Sequence, residues 1–335
     1  MAEKFRVALS GDFKKADGSP TFPDFDVEPL RNAPGVDVVY IEPSNPIRAD
    51  QIADFDALIL LMPRFARESV HANGRLSVVA RFGVGYDNVD VPACTEAGIP
   101  LVITPDGVRR PVAVSIITLM LALTGKLLIK DKLTRGGPET FNKRVDHMGV
   151  GLVGRTLGSV GIGNIGAELF RMAQPFDMKF IAHDPFADKA VAAELGIELV
   201  GMEEVFRRAD VLCVNCPLTP ETRHLVNAER LALMKPTAYL INVARGPVLD
   251  YDATVAALKD KRIAGAGLDV FWQEPFDPAD EIFSYNVIAT PHVGGATDLS
   301  LQGIAKKVAD NINRVRRGEM PLNCANAAEL GVRKT

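Results

Sequence analysis

Short runs of β-branched and apolar residues alternate with helical segments along almost the whole chain, and no other feature restricts its fold as much. A strand, a helix and a second strand running the same way form the βαβ unit, and successive units build parallel sheets covered by helices on both faces. Two series of strands are expected. The first comprises 5–9, 36–41, 57–61, 77–81 and 100–103; the second comprises 158–162, 179–183, 211–214, 238–243, 263–270 and 287–289. A long helix between them is expected to begin at Pro111, since the N–H that proline lacks has no partner in a first helical turn. A second amphipathic helix, 299–317, stops at Gly318 and Pro321. With 335 residues the chain is long enough for two domains, so the expected class is α/β with two doubly wound parallel-sheet domains. The polar stretch 135–146 reads as a linker, a flap or an arm that reaches a partner subunit.

Charge and composition remove several function classes. Lys plus Arg number 38 against 42 Asp plus Glu, a net charge of −4, and no basic run is present to track a phosphate backbone, so nucleic acid is not an expected partner. The most apolar segment, 112–123, is well short of the ~20 residues that cross a bilayer, which predicts a buried helix and no membrane partner. The first ten residues place charge before an alternating apolar stretch and lack the pattern of a secretory leader, so a cytoplasmic location is expected. Cysteines at 94, 213, 216 and 324 then read as reduced thiols. Cys213 and Cys216 form a C-x-x-C at the end of a strand, where alternation turns them to opposite faces. No second pair completes a metal shell, so no metal is expected.

Gly161, Gly163 and Gly166, with Asn164 and Ile165 between them, form G-x-G-x-x-G directly after a predicted strand and before the helical run 167–173. In that context the first glycine makes a tight turn, the second lets the backbone approach a pyrophosphate and the third packs helix against strand. The helix N-terminus offers its N–H groups to the anion. Asp184 ends the next strand, 184 − 163 = 21 residues after the second glycine, where a carboxylate can accept hydrogen bonds from both ribose hydroxyls. The same charge repels a 2′-phosphate, so NAD is favoured over NADP.

Three ionisable residues follow predicted strands of the second series: Arg245, Glu274 and His292. Each alone has an ordinary reading as a turn, a surface loop or a structural histidine. Their motifs, Asn242-Val-Ala-Arg-Gly246, Asp269-Val-Phe-Trp-Gln-Glu-Pro275 and Thr290-Pro-His-Val-Gly-Gly-Ala-Thr297, stand at spacings of 29 and 18 residues and resemble those of the D-isomer-specific 2-hydroxyacid dehydrogenases. Further similar segments are 155–166, Pro217-Leu-Thr-Pro-Glu-Thr222 and Arg81-Phe-Gly-Val-Gly-Tyr-Asp-Asn-Val-Asp90.

The resemblance implies a Rossmann NAD domain, 108–297, inserted into a flavodoxin-like substrate domain made of 1–107 and 298–335, with the active site in the cleft. It implies an NAD-dependent oxidoreductase that moves a hydride between nicotinamide and C2 of a small D-2-hydroxy acid or 2-oxo acid. Arg245 suits the substrate carboxylate and carbonyl, because its planar fork engages both. His292 suits the acid/base role, histidine having an ordinary pKa of about 6.5. Glu274 would hold the other imidazole nitrogen and favour the protonated ring. By the same resemblance Pro217 and Thr222 belong to the cofactor site, Asp269 lies near the nicotinamide, and amides at Val84 and Gly85 take the substrate carboxylate. Met62 and Arg64 face the C3 substituent, and a homodimer forms through the long helix and the loop 136–145. Formate is a poor substrate candidate, since formate-oxidising relatives carry Gln where Glu274 stands. Departures from the pattern are Arg109-Arg-Pro111 before Val112-Ala-Val114, Asn215 where many relatives have His, and Trp272, which either lines the cleft or packs at an interface. A second class on the same scaffold is an NAD-sensing corepressor-like binding protein.

Overall fold

The computed structural model describes residues 4–330; the chain ends at 1–3 and 331–335, including the outermost ends of the expected substrate domain, lie outside the described residues. Five parallel strands form one sheet: β1 (Phe5–Leu9), β2 (Val36–Tyr40), β3 (Ala57–Leu60), β4 (Val78–Arg81) and β5 (Leu101–Val102), in the order β2-β1-β3-β4-β5. Seven more form a second parallel sheet: β6 (Thr156–Val160), β7 (Lys179–His183), β8 (Ile197–Leu199), β9 (Val211–Val214), β10 (Tyr239–Asn242), β11 (Gly265–Leu268) and β12 (Val287–Ala289), in the order β12-β11-β10-β9-β6-β7-β8. These are the flavodoxin-like and Rossmann windings. In each the strand order reverses beside the first strand, which opens a crevice at the carboxyl ends of β1 and β3 in one sheet and of β6 and β9 in the other. By contacts, the residues up to Val108 with those from Ala296 onward make one unit, and Arg109–Gly295 the other.

Four helices matter for function: α1 (Pro105–Thr124), α2 (Leu127–Arg135), α3 (Asn164–Ala173) and α4 (Asp298–Arg316). In the first unit α4 packs on β4 and buries Leu301, Ile304, Ala305, Val308 and Ile312, a stripe at helical spacing. Thr297 and Ser300 cap its start reciprocally, and Gly318, at φ +75°, ends it. In the second unit both faces of the sheet are covered. Val160, Leu212, Leu240 and Leu268 lie in one core; Leu157, Val211 and Ile241 lie in the other with Ile116 and Leu119 of α1 and Phe170 of α3. Burial on both faces is why these strands read as continuous apolar runs.

Three expectations change. The long helix begins at Pro105, and Pro111 lies inside it. A proline there costs about 3 kcal/mol, but Val108, Val112, Ile116 and Met120 form one buried stripe whose packing outweighs the missing hydrogen bond. The apolar segment is therefore part of a 20-residue helix that is long and apolar enough, by composition, to cross a membrane; half of its most apolar window is buried inside the structure. The stretch expected as a loop contains a helical turn, Pro138–Phe141, and a 3-10 turn, Asn142–His147, with no buried residue in either. The edge strand β8 was not anticipated: its three residues carry no extended apolar run.

Candidate active site

The glycine turn follows β6. Gly161 stands at φ +93°, and its conformation is held from three sides. Its N–H donates to the His183 carbonyl (2.8 Å), its carbonyl accepts from the Ser159 hydroxyl (2.6 Å), and the next amide, of Ile162, donates to Asp184 Oδ2 (2.9 Å). A Cβ on Gly166 would lie 2.5 Å from the Gly161 carbonyl oxygen, so helix and turn meet this closely only with glycine there. Gly163 caps α3 with open space where a side chain would stand, and Asn164, Ile165 and Gly166 form the first turn, whose N–H groups have no intrahelical acceptor. Asp184 Oδ1 accepts from Phe186 N–H (2.8 Å), and each carboxylate oxygen keeps a lone pair for a ribose hydroxyl. These residues fit a dinucleotide.

After β9, the Thr222 hydroxyl donates to the Pro217 carbonyl (2.6 Å) and accepts from Thr219 N–H (2.7 Å), closing that loop on itself. Asn215 donates to Ser159 Oγ (2.8 Å), while its own buried Oδ1 has no partner among the described residues. Sequence reading marked Asn215 only as a departure. Its link through Ser159 to the Gly161 carbonyl carries no local signal, because the two residues sit 56 positions apart.

Arg245, Glu274 and His292 follow β10, β11 and β12, three adjacent strands. His292 Nδ1 lies 2.7 Å from Glu274 Oε2, with the two side chains about a third and a quarter exposed. Glu274 Oε1 accepts from Phe271 N–H (3.0 Å). Burial pushes the Glu274 carboxyl up, but the His292 hydrogen bond and charge, the Phe271 amide and the Arg245 charge together hold it below its ordinary value. Arg245 is half-buried; its Nη1 donates to the Ala244 carbonyl (2.8 Å). The turn beneath it is stapled by Asn242, fully buried, which accepts from Ala244 N–H and donates to the Arg245 carbonyl. Asp269 is buried under the loop that carries His292, held there by hydrogen bonds to Thr290, Val293 and Gly294. The Trp272 indole N–H donates to the Leu249 carbonyl (2.7 Å) and its ring meets Tyr251 edge-on at 5.0 Å, half-buried against the unit's own core. Arg109 and Arg110 both turn to Glu168 of α3, a buried carboxylate also paired with Arg171.

In the first unit, Met62 and Arg64 follow β3 and are exposed; Val84 and Gly85 follow β4 and are half-buried. Asp12 accepts from Met62 N–H (2.9 Å), and Asn88 donates to the carbonyls of Met62 (3.2 Å) and Pro63 (2.8 Å). Arg81, buried at the end of β4, donates to the carbonyls of Gly85 (2.7 Å), Leu60 (3.0 Å) and Leu61. Its role was missed, although an arginine closing an apolar strand is itself a signal of a buried donor.

Cys213 lies in the core on one face of the seven-stranded sheet, and Cys216 packs against the core on the other. Burial pushes both thiols up, Cys216 to about 11, so neither is a thiolate at neutral pH. Among the described residues no group of three or more His, Cys, Asp or Glu could hold a metal ion.

The Rossmann winding, the glycine turn and the carboxylate after β7 define a dinucleotide-dependent oxidoreductase scaffold. Residues 117–294 match the family described as D-isomer specific 2-hydroxyacid dehydrogenase, NAD binding domain. The chain is 39% identical over 301 residues to a glyoxylate reductase of Thermococcus onnurineus, covering 88% of this chain and 89% of that one. It is 39% identical over 291 residues to a glyoxylate reductase of Pyrococcus furiosus, covering 85% and 86%. Its fold is similar to that of D-mandelate dehydrogenase from Rhodotorula graminis, with a TM-score of 0.82, 28% identity and coverage of 96% and 98%. The chain belongs to the D-isomer-specific 2-hydroxyacid dehydrogenase family: it is an NAD-dependent oxidoreductase acting on 2-hydroxy acids and the corresponding 2-oxo acids.

Proposed function

We propose that the protein interconverts a small 2-oxo acid and its D-2-hydroxy acid with His292 as the acid/base, glyoxylate being the first substrate to test. The observation that carries this reading is the 2.7 Å contact between His292 Nδ1 and Glu274 Oε2. With Nδ1 donating to a carboxylate, Nε2 is the nitrogen left to face a substrate oxygen, and Glu274 fixes the ring in that orientation. When bound, NADH supplies the hydride. Arg245 offers the guanidinium fork that a 2-oxo acid's carboxylate and carbonyl oxygens match. The cofactor-side residues are Gly161 to Gly166, Asp184, Pro217 and Thr222. Val84 and Gly85 are proposed to bind the substrate carboxylate, and Met62 and Arg64 to choose the substituent. The glyoxylate reductases at 39% identity support glyoxylate.

The experiment is NADH oxidation across a panel of 2-oxo acids. Glyoxylate should support turnover, and His292→Ala should lower it by about 10²- to 10⁴-fold with NADH affinity nearly intact. Unchanged turnover in that variant removes His292 from the mechanism. The working unit is proposed to be a homodimer. The residues of α2 and of the turns 138–147 are all at least partly exposed, and they present Leu127, Leu128, Phe141 and Val145 together, an apolar surface suited to a second copy of the chain. Light scattering at micromolar concentration should give twice the chain mass; a monomer mass rules the dimer out.

A further inference from the structure

Four phenylalanines meet at the carboxyl edge of the five-stranded sheet. Phe13 ends the turn after β1, Phe82 directly follows β4, and Phe22 and Phe25 lie in the segment between β1 and β2. Phe13 stacks on Phe25 (5.0 Å between ring centres, 14° between planes) and Phe22 on Phe82 (5.1 Å, 17°); Phe82 also meets the first pair edge-on, Phe25 at 5.0 Å and Phe13 at 5.8 Å. Phe13 and Phe25 are buried, whereas Phe22 and Phe82 are only half-buried. Thr21 holds the outer pair in place: its N–H donates to the Phe13 carbonyl (2.9 Å) and its hydroxyl to the Asp12 carbonyl (2.7 Å), which folds the segment back over the sheet edge. Asp12 in turn accepts from Met62 N–H, and Arg81, next to Phe82, draws in the Leu61 and Gly85 carbonyls. The loops after β1, β3 and β4 are thus tied into one surface, where Phe22 and Phe82 are joined by Met62 (52% exposed) and Tyr86 (39% exposed).

We propose that Phe22 and Phe82, with Met62 and Tyr86, receive the substituent of the 2-oxo acid, and that the preferred substrate carries an apolar substituent about the size of a benzyl group. The proposal rests on the assignment of the Val84 and Gly85 amides to the substrate carboxylate. Phe82 stands two residues before Val84, so their Cα atoms lie within about 7 Å of each other, and a carboxylate held at those amides brings a substituent a few carbons long within reach of the rings. An apolar wall beside a few convergent polar groups is the ordinary make-up of a small-molecule site. Glyoxylate, with hydrogen in place of a substituent, uses the polar groups alone and gains nothing from the rings, whereas an apolar substituent gains in proportion to the area it takes out of water. An anionic substituent would meet aromatic faces and the Asp12 carboxylate, and the buried Arg81 guanidinium is already engaged by three carbonyls. Arg64, exposed after β3, is the cation on these loops that would favour an anion, which makes an anionic substrate the competing outcome.

The test measures kcat/KM of the full chain with NADH for phenylpyruvate, whose substituent is a benzyl group, for glyoxylate and for oxaloacetate, in wild type, Phe22→Ala and Phe82→Leu. Ratios between substrates within one preparation do not depend on how much of it is folded. In wild type, kcat/KM for phenylpyruvate should exceed that for either other acid by at least about tenfold. Its advantage over glyoxylate should fall about tenfold in Phe22→Ala, and by a smaller factor in Phe82→Leu, which keeps apolar volume and loses the ring. Should Phe22→Ala fail to fold, Phe82→Leu decides alone. A wild type that turns over glyoxylate or oxaloacetate in preference leaves the reading of His292 and the amides standing and overturns the proposal; so does an advantage of phenylpyruvate that survives both substitutions. If no 2-oxo acid is turned over, the acid/base reading falls, and calorimetric titration of phenylpyruvate and glyoxylate into the protein with NADH decides: tighter binding of phenylpyruvate that is lost in Phe22→Ala upholds the role of the rings, and equal binding or none overturns it.

Discussion

In the seven-stranded unit, carboxylates at the carboxyl edge of the sheet take up backbone N–H groups: Asp184 those of Ile162 and Phe186, Glu274 that of Phe271, Asp269 those of Val293 and Gly294. In the five-stranded unit, side-chain donors at the corresponding edge take up carbonyls, Arg81 those of Leu60, Leu61 and Gly85 and Asn88 those of Met62 and Pro63, beside one carboxylate, Asp12, that accepts from Met62 N–H. The two edges therefore differ in electrostatic character although they share a winding. Ionised carboxylates favour cationic neighbours, a protonated imidazole and a guanidinium among them. A loop whose carbonyls are drawn onto a buried guanidinium turns the other pole of its peptides outward and suits an anion. The difference supports the proposed acid/base role of His292 and Glu274 in the one unit and the proposed amide contacts of Val84 and Gly85 in the other, with Arg245 of the seven-stranded unit sharing the substrate carboxylate.

That contrast can be broken or sharpened by substitution. The largest effect is expected at Arg245: Arg245→Lys keeps the charge and loses the fork, and should lower kcat/KM for the 2-oxo acid by about 10²-fold with little change in the NADH KM. An unaltered kcat/KM would falsify the forked contact. Arg81→Met should raise the KM for the 2-oxo acid about tenfold and destabilise the protein by about 2 kcal/mol, since the carbonyls it serves lose a buried donor. If it weakens NADH binding instead, the proposed division of labour between the edges is wrong.

The smallest effect is one of pH. The Glu274 carboxyl is held below its ordinary value near 4.5, so its contribution to stability is fully present above that value and is lost as pH falls through the still lower value of the folded protein. Glu274→Gln lacks that contribution at every pH. The gap in Tm between wild type and Glu274→Gln should close as pH falls below about 4.5; a gap that persists undiminished well into acid contradicts the sign.

Much of this was legible in the sequence. The alternation of strands and helices announced two doubly wound sheets, and strands such as β7, β9 and β12 have the bounds that their apolar runs suggest. The glycine turn and Asp184 are a local pattern, readable because each glycine answers a demand made within a few residues. Other features were hidden for a common reason. The start of α1 was misread because Pro111 is a local signal, while the burial of Val108 is not. Trp272 was ambiguous because the carbonyl its indole seeks belongs to Leu249, 23 positions away.

The chain's order of residues by itself determined the α/β class, the dinucleotide turn and the presence of an arginine, a glutamate and a histidine after successive strands. These depend on short-range spacing and on residue chemistry. Tertiary structure alone decided that Asp269 meets the loop of His292, that Asn215 reaches Ser159 and that Arg81 serves the carbonyls of two loops. A buried donor or acceptor bonds to whatever the sheet order brings beside it. β11 and β12 become neighbours only when the sheet forms, and so only folding could show which backbone groups Asp269 would hold.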